Sequence, residues 1–156
     1  MTLLVRMLVP DEWEALRDVR LAALLDAPDA YYATYDSTLE RTEAEWRAWP
    51  GRGVCFLALL GGQPIGMVGV APTATDLTRA DLFAMWVAPA VRGTGAADAL
   101  ITAALDWARE HGCHSVELEV APGNVRAERA YRRHGFATTG ESTTVAGGLA
   151  MRRVFP

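Results

Sequence analysis

The segment from Asp81 to Ala97, D-L-F-A-M-W-V-A-P-A-V-R-G-T-G-A-A, constrains the fold more than any other part of the chain. An apolar, β-favouring run leads into a turn containing proline, and Arg92-Gly93-Thr94-Gly95-Ala96-Ala97 then opens an amphipathic helix. The first N–H groups of a helix lack intrahelical partners and carry about half a positive charge, so this strand-to-helix turn suits a phosphate or pyrophosphate. Glycines at 93 and 95 and alanine at 97 let those amides approach ligand oxygens directly. Glycine-rich turns before helices also arise from packing alone, so this segment by itself leaves a plain helix start open.

A second motif lies downstream. The strand-like S-V-E-L-E-V of residues 115 to 120 precedes Asn124-V-R-Ala127-E-R-A-Tyr131-R-R-H-Gly135-Phe136. Together, an R-G-x-G-x-A loop after a strand, an L-x-V strand and N-x-x-A-x-x-x-Y-x-x-x-G-F occur in that order within about 55 residues. In this the sequence resembles the GNAT superfamily of acyl-CoA-dependent N-acyltransferases. The resemblance is strong over residues 80 to 137 and compatible, though weaker, across the N-terminal half.

Elsewhere the pattern is readable only coarsely. Residues 3 to 9 read as a strand, and Pro10 begins a helix to about Asp26 with Trp13, Leu16, Arg20 and Leu24 along one flank. Residues 27 to 41 carry turn residues and three tyrosines, and Thr42-E-A-Glu45 resembles a capping box for a short helix containing Trp46. Val54 to Leu60, Gly61-Gly62 and Ile65 to Val70 read as a hairpin, with a loop over 71 to 78. A strand at 81 to 87, a helix at about 94 to 111, the strand at 115 to 120 and a helix from Asn124 to His134 follow. Strands near 136 to 141 and 149 to 155 would close the chain as a hairpin. This order predicts an α/β (α+β mixed) domain over residues 1–156, a mixed sheet with helices on both faces. The resemblance implies a mostly antiparallel sheet whose fourth and fifth strands are parallel and splayed, with acyl-CoA in the opening. Splaying would leave backbone groups of Met85 and Val87 unpaired for the pantetheine arm.

Candidate chemistry centres on few residues. Asn124 is a favourable helix N-cap on spacing alone, and the resemblance adds a contact toward the pantetheine or acyl region. Tyr131 lies two helical turns on, on the same face, where it could simply pack; the resemblance makes its hydroxyl the acid for the departing CoA thiolate. A phenol pKa near 10 keeps that proton available. An alkylamine is only about 0.1% neutral at pH 7.4, so a base is needed. The resemblance offers Glu119 or Asp81, with Glu119 weighted slightly ahead because Asp81 is one atom shorter than the usual glutamate; Glu117 and Glu119 could equally be a solvated strand edge. Cofactor contacts are expected from Met85, Trp86 and Val87, whose amides would polarise the thioester carbonyl, from Arg92, Gly93, Thr94, Gly95, Ala96 and Ala97 at the pyrophosphate, and from Asn124 and Tyr131. Arg126, Arg129 and Arg133 form a stripe that is either a solvated face or meets the nucleotide phosphates. Tyr31, Tyr32, Tyr35 and Trp46 are candidate acceptor-pocket walls.

Bulk properties exclude several classes. The net charge of −4 disfavours nucleic acid as partner, and no apolar run approaches the roughly 18 residues of a membrane span. With no charged-then-apolar leader at its start, a cytoplasmic location is expected. All 15 basic residues are arginine, which excludes a Schiff-base lysine and a Walker-type loop. Cys55 and Cys113 read as buried thiols, and the three histidines support no metal site. The expected activity is acetyl transfer from acetyl-CoA to an amine by direct attack, the acceptor left open among a small amine, an amino acid, an antibiotic and a protein N-terminus, by a monomer or homodimer. A non-catalytic acyl-CoA sensor on the same fold is the alternative. A dinucleotide-binding oxidoreductase fits poorly, because Asp98 stands where its third glycine belongs.

Overall fold

The run Val54–Leu60 is apolar throughout because both of its faces are covered. Cys55, Leu57 and Leu59 pack in one buried cluster, while Phe56 and Ala58 belong to another. The computed structural model describes residues 2–31 and 33–156. It contains seven strands and five α-helices: β1 (Leu3–Met7), α1 (Trp13–Asp26), α2 (Tyr35–Leu39), α3 (Glu43–Ala48), β2 (Val54–Leu60), β3 (Gln63–Pro72), β4 (Arg79–Val87), α4 (Ala96–Glu110), β5 (Ser115–Val120), α5 (Val125–Arg133), β6 (Ala137–Glu141) and β7 (Leu149–Val154). The strands form one sheet in the order β1-β2-β3-β4-β5-β7-β6, and every neighbouring pair is antiparallel except β4–β5. A doubly wound dinucleotide-binding sheet is therefore ruled out, and the expected mixed sheet is present.

Helix periodicity decides which face each helix covers. Leu100, Ile101, Ala104, Leu105 and Ala108 put α4 on one face of the sheet, where α5 adds Ala130 and Tyr131. On the other face, Leu16 and Val19 of α1 and Trp46 of α3 cover Leu57 and Met67. Leu100 has no exposed surface. Leu100→Ala is expected to cost about 2–5 kcal/mol of unfolding free energy through lost transfer and a residual cavity. Urea unfolding checks this, and a loss below about 1 kcal/mol would contradict the packing.

Several boundaries differ from the sequence reading for local reasons. The first strand stops at Met7, and Pro10–Glu12 makes a 3-10 turn before α1 begins at Trp13. The long helix starts at Ala96 rather than 94, because Gly95 takes a left-handed conformation (φ 88°) that ends the preceding turn. Residues 27 to 41, read as irregular, hold α2, capped by Thr34, whose hydroxyl accepts from the Ser37 N–H at 3.2 Å. The expected capping box at Thr42 and Glu45 is present and starts α3. The final hairpin forms, but β7 inserts between β5 and β6. Cys55 and Cys113 are buried free thiols.

Candidate active site

The opening in the sheet begins at a definite residue pair. β4 and β5 are paired only at Arg79–Ser115, Ala80–Val116 and Asp81–Glu117. From Leu82 onward β4 keeps only β3, whereas β5 pairs with β7 along its whole length. The β3–β4 register shifts between Met67 and Gly69, which sets Ala84 and Met85 opposite Val68, and Ala84 has φ 54°. A bulge of this kind bends the strand and re-aims its groups.

Hydrogen-bond alternation fixes which backbone groups face the opening. The Ala88 N–H donates to the Ile65 carbonyl at 2.8 Å, so Trp86 is bonded to Met67 and the polar groups of Val87 turn away from β3. Contrary to the expectation that both backbone groups of Met85 and Val87 lie unpaired, their carbonyls are taken. The Tyr31 hydroxyl donates to the Met85 oxygen at 2.8 Å, and Arg92 Nε donates to the Val87 oxygen at 3.1 Å. Side chains thus replace the missing strand at the acceptors, and the Val87 N–H is a donor left toward the opening.

Two cavities fill the splay. The first, about 760 Å³, lies between Val87, the start of α4, α5 and residues 26 to 31. Gly93 and Gly95 line it at φ 84° and 88°, and a Cβ on either would meet nothing within 4 Å, so the space over the turn is open. The first α4 bond is from the Ala99 N–H to the Gly95 carbonyl at 3.0 Å, which leaves the amides of Ala96, Ala97 and Asp98 outside the helix ladder. Asp98 would oppose a phosphate here, but His134 Nε2 at 2.9 Å and Arg133 Nη2 at 3.1 Å hold its carboxylate. Those contacts, the His134 bond foremost, keep it below the usual carboxylate range. Such a cradle of small residues and unpaired amides fits a pyrophosphate.

The second cavity, about 790 Å³, lies on the far side of the splay, bounded by Phe83, Trp49, β5 and the β6–β7 turn. The two share walls, including Tyr31, Met85, Asn124, Ala127 and Tyr131. Asn124 caps α5, its Oδ1 accepting from the Ala127 N–H at 3.4 Å, which leaves the carboxamide NH2 for the cavity. Tyr131 is 6% exposed, and its hydroxyl has no hydrogen-bond partner among the described residues. Burial, reinforced by the nearby Tyr31 phenol, pushes Tyr131 far above an ordinary phenol, so it stays protonated. Tyr31 is itself pushed up to about 12 by burial.

The three carboxylates of the second cavity are not alike. Glu117 is held by Arg79 and by Arg152, whose Nη2 lies at 2.6 Å. Glu119 accepts from the Thr143 N–H at 3.0 Å and from the Thr143 and Thr144 hydroxyls, so it anchors the β6–β7 turn. Although burial opposes it, those bonds bring Glu119 below the ordinary range. Asp81 has no such bonds among the described residues, and loss of solvation, with Glu117 and Glu119 adding repulsion, raises its pKa against the pull of Arg79. Asp81 opens onto the cavity, where water moderates the shift.

Most residues singled out from sequence meet at this splay. Met85, Trp86, Val87, Arg92, Gly93, Gly95, Ala96, Ala97, Asn124 and Tyr131 all line the first cavity. Arg92 also pairs with Asp26 at 3.2 Å, and Trp86 Nε1 donates to the same carboxylate at 3.0 Å, tying the end of α1 across the opening. Thr94 is not on the wall: its hydroxyl donates to the Val91 carbonyl at 2.6 Å and closes the preceding turn. The arginine stripe divides, with Arg126 and Arg133 on the wall and Arg129 away from it. Among the proposed acceptor walls, Tyr31 lines both cavities, Tyr35 lines neither, and Trp46 is core at 1% exposure. Tyr32 lies outside the described residues. Trp49, Arg20 and Arg41 line the second cavity and were missed; for Arg20 the signal was an arginine on the apolar flank of a helix.

The sheet is thus mixed, with one splayed parallel pair and an amide-lined helix start at its mouth. The model of the Acetyltransferase (GNAT) family matches residues 16–136. The chain belongs to that family. Streptothricin acetyltransferase of Streptomyces lavendulae is 44% identical over 64 residues, which is 41% of this chain and 34% of that protein's length. Among solved structures, a GNAT-family acetyltransferase from Streptococcus pneumoniae superposes with a TM-score of 0.81 at 22% identity, over 99% of this chain and all of that one. The PaiA N-acetyltransferase from Thermoplasma acidophilum, solved in complex with coenzyme A, superposes at 0.75 with 15% identity, over 99% of this chain and 100% of that one. These likenesses bear on the fold.

Proposed function

We propose that the chain is an acetyl-CoA-dependent N-acetyltransferase working by direct attack of a bound amine, without a covalent enzyme intermediate. The observation that carries this is the meeting of the two cavities at Tyr31, Met85, Asn124 and Tyr131. One cavity has the amides for a pyrophosphate, the other has carboxylates for an ammonium, and the wall they share holds a buried phenol. Acetyl-CoA supplies an activated acetyl thioester. The Gly93–Asp98 turn and Arg126 hold its phosphates, and the Val87 N–H points where the carbonyl oxygen gains charge. Asp81 takes the proton of the incoming ammonium, directly or through a water, and Glu119 serves the turn that walls the cavity. As the N–C bond forms and the C–S bond breaks, Tyr131 donates to the departing sulfur; the proton shed by the new amide nitrogen restores the phenol.

Thermal unfolding with acetyl-CoA, longer acyl-CoAs and NADH at equal concentrations is the test. At a hundredfold excess over its Kd a true ligand adds about 2.7 kcal/mol, a rise of several degrees. A shift with acetyl-CoA and none with NADH, followed by thiol release with amines, supports the reading. No shift with any CoA overturns it, and binding without transfer to any amine makes the chain a sensor.

A further inference from the structure

The charged groups of the second cavity do not balance once their internal pairs are removed. Arg79 and Arg152 are held by Glu117, and Glu119 is held by the β6–β7 turn. Arg20, Arg41 and Asp81 remain. Arg20 is 6% exposed, and its Nε and Nη1 are buried without partners among the described residues; Arg41 Nη1 is likewise buried and unpartnered. Both side chains line the cavity.

No carboxylate is among the groups that act on Arg20. Arg20 lies 4.5 Å over the Tyr31 ring, and Arg41 lies 4.9 Å over Trp46 and 5.3 Å over Trp49, so aromatic rings take the guanidinium faces and leave the edges. The titratable groups beside Arg20 are Tyr31, Arg41 and Cys55. Burial holds both Tyr31 and Cys55 at about 12, so both are neutral at physiological pH. The buried Arg20 charge is therefore desolvated beside the like charge of the half-buried Arg41, which is costly unless something anionic arrives to pair them. Guanidinium edges present a planar fork of N–H donors, and a carboxylate matches that fork.

We propose that Arg20 and Arg41 bind a carboxylate of the acceptor, so that the acceptor is a small molecule bearing both an amine and a carboxylate, an amino acid in the broad sense. The proposal rests on reading the second cavity as the acceptor site. Asp81 and the Arg20–Arg41 pair then give this cavity a negative group and a positive pair, complementary to a zwitterion. Trp49 and Phe83, in edge contact at 5.6 Å, form an aromatic wall for the remainder of the molecule. A peptide N-terminus lacks the nearby carboxylate and would leave both guanidiniums unpaired.

Calorimetric titration of the full chain in the presence of CoA tests this without requiring turnover. The probes are the standard L-amino acids, β-alanine and 4-aminobutyrate, each beside its carboxamide and its decarboxylated amine. At least one carboxylate should bind roughly 30-fold tighter than its amide. Arg41→Gln and Arg20→Met should erase that ratio. Arg20→Met should also unfold at a temperature no lower than the parent, because it removes an unpaired buried charge, whereas an arginine with a structural role would cost stability. Amides binding as well as the free acids, or a ratio that survives both substitutions, would overturn the proposal. Carboxylate preference without thiol release from acetyl-CoA would retain the site and fail the transfer reading. Thiol release from amides as fast as from free acids would do the reverse.

Discussion

Tyr131→Phe is expected to lower kcat by about 10²- to 10³-fold while leaving the unfolding shift with acetyl-CoA within a degree of the parent. The substitution removes one oxygen from a ring that is otherwise held by packing, with Phe136 in edge contact at 5.7 Å. Because the hydroxyl bonds to no described protein group, its loss strands no partner and leaves the fold intact. The effect should fall on kcat rather than KM, since donation to the sulfur matters only as the C–S bond breaks. Burial holds this phenol well above its ordinary pKa, so Tyr131 should impose no alkaline limb on the rate below pH 10. Thiol release measured across pH with a working acceptor checks both statements. A variant retaining a third or more of the parent kcat would remove Tyr131 from the leaving-group role.

How far the site could be read from sequence depended on whether a residue's role is local. The turn at Gly93 and Gly95, the cap at Asn124 and the two-turn spacing to Tyr131 are set by neighbours along the chain, so spacing revealed them. Strand 115 to 120 was bounded correctly because alternation and flanking turn residues mark both ends. The occupied carbonyl of Met85 was invisible, since its partner Tyr31 lies 54 residues away, and although Arg92 lies only five residues from Val87, spacing does not tell that its guanidinium turns back onto that carbonyl. The division of labour among Asp81, Glu117 and Glu119 was equally hidden. Glu119 faces the same cavity as Asp81, yet three donors from Thr143 and Thr144 engage it, and only the insertion of β7 between β5 and β6 brings that turn within reach. Sequence weighting favoured Glu119 for its length; hydrogen bonding favours Asp81 as the free base.

Asp81→Asn is expected to reduce kcat/KM by roughly 10²-fold at neutral pH and to move the acid limb of the pH profile up toward the pKa of the amine itself, which must then arrive already neutral. The sign follows from the surroundings. Lost solvation and the two glutamates disfavour the charged carboxylate, so the folded-state pKa lies above the ordinary aspartate value. Activity that needs the carboxylate should therefore fall, as pH decreases, at a higher pH than an ordinary aspartate would give. For stability, a folded pKa above the unfolded one means that the native state binds more protons in that window. The contribution to stability is thus fully present below the unfolded pKa and lost as pH rises through the folded value. Asp81→Asn, which removes the charge and keeps the shape, should then unfold at the same temperature as the parent in acid and at a slightly higher one at neutral pH. Glu119→Gln is the contrasting variant. It should lower the unfolding temperature by weakening the β6–β7 turn while keeping the acid limb. An acid limb that stays in place in Asp81→Asn and moves up toward the amine pKa in Glu119→Gln would reverse the assignment of the base. Raised stability with lost turnover in the aspartate variant would mark Asp81 as a carboxylate the fold keeps at a cost, for its chemistry.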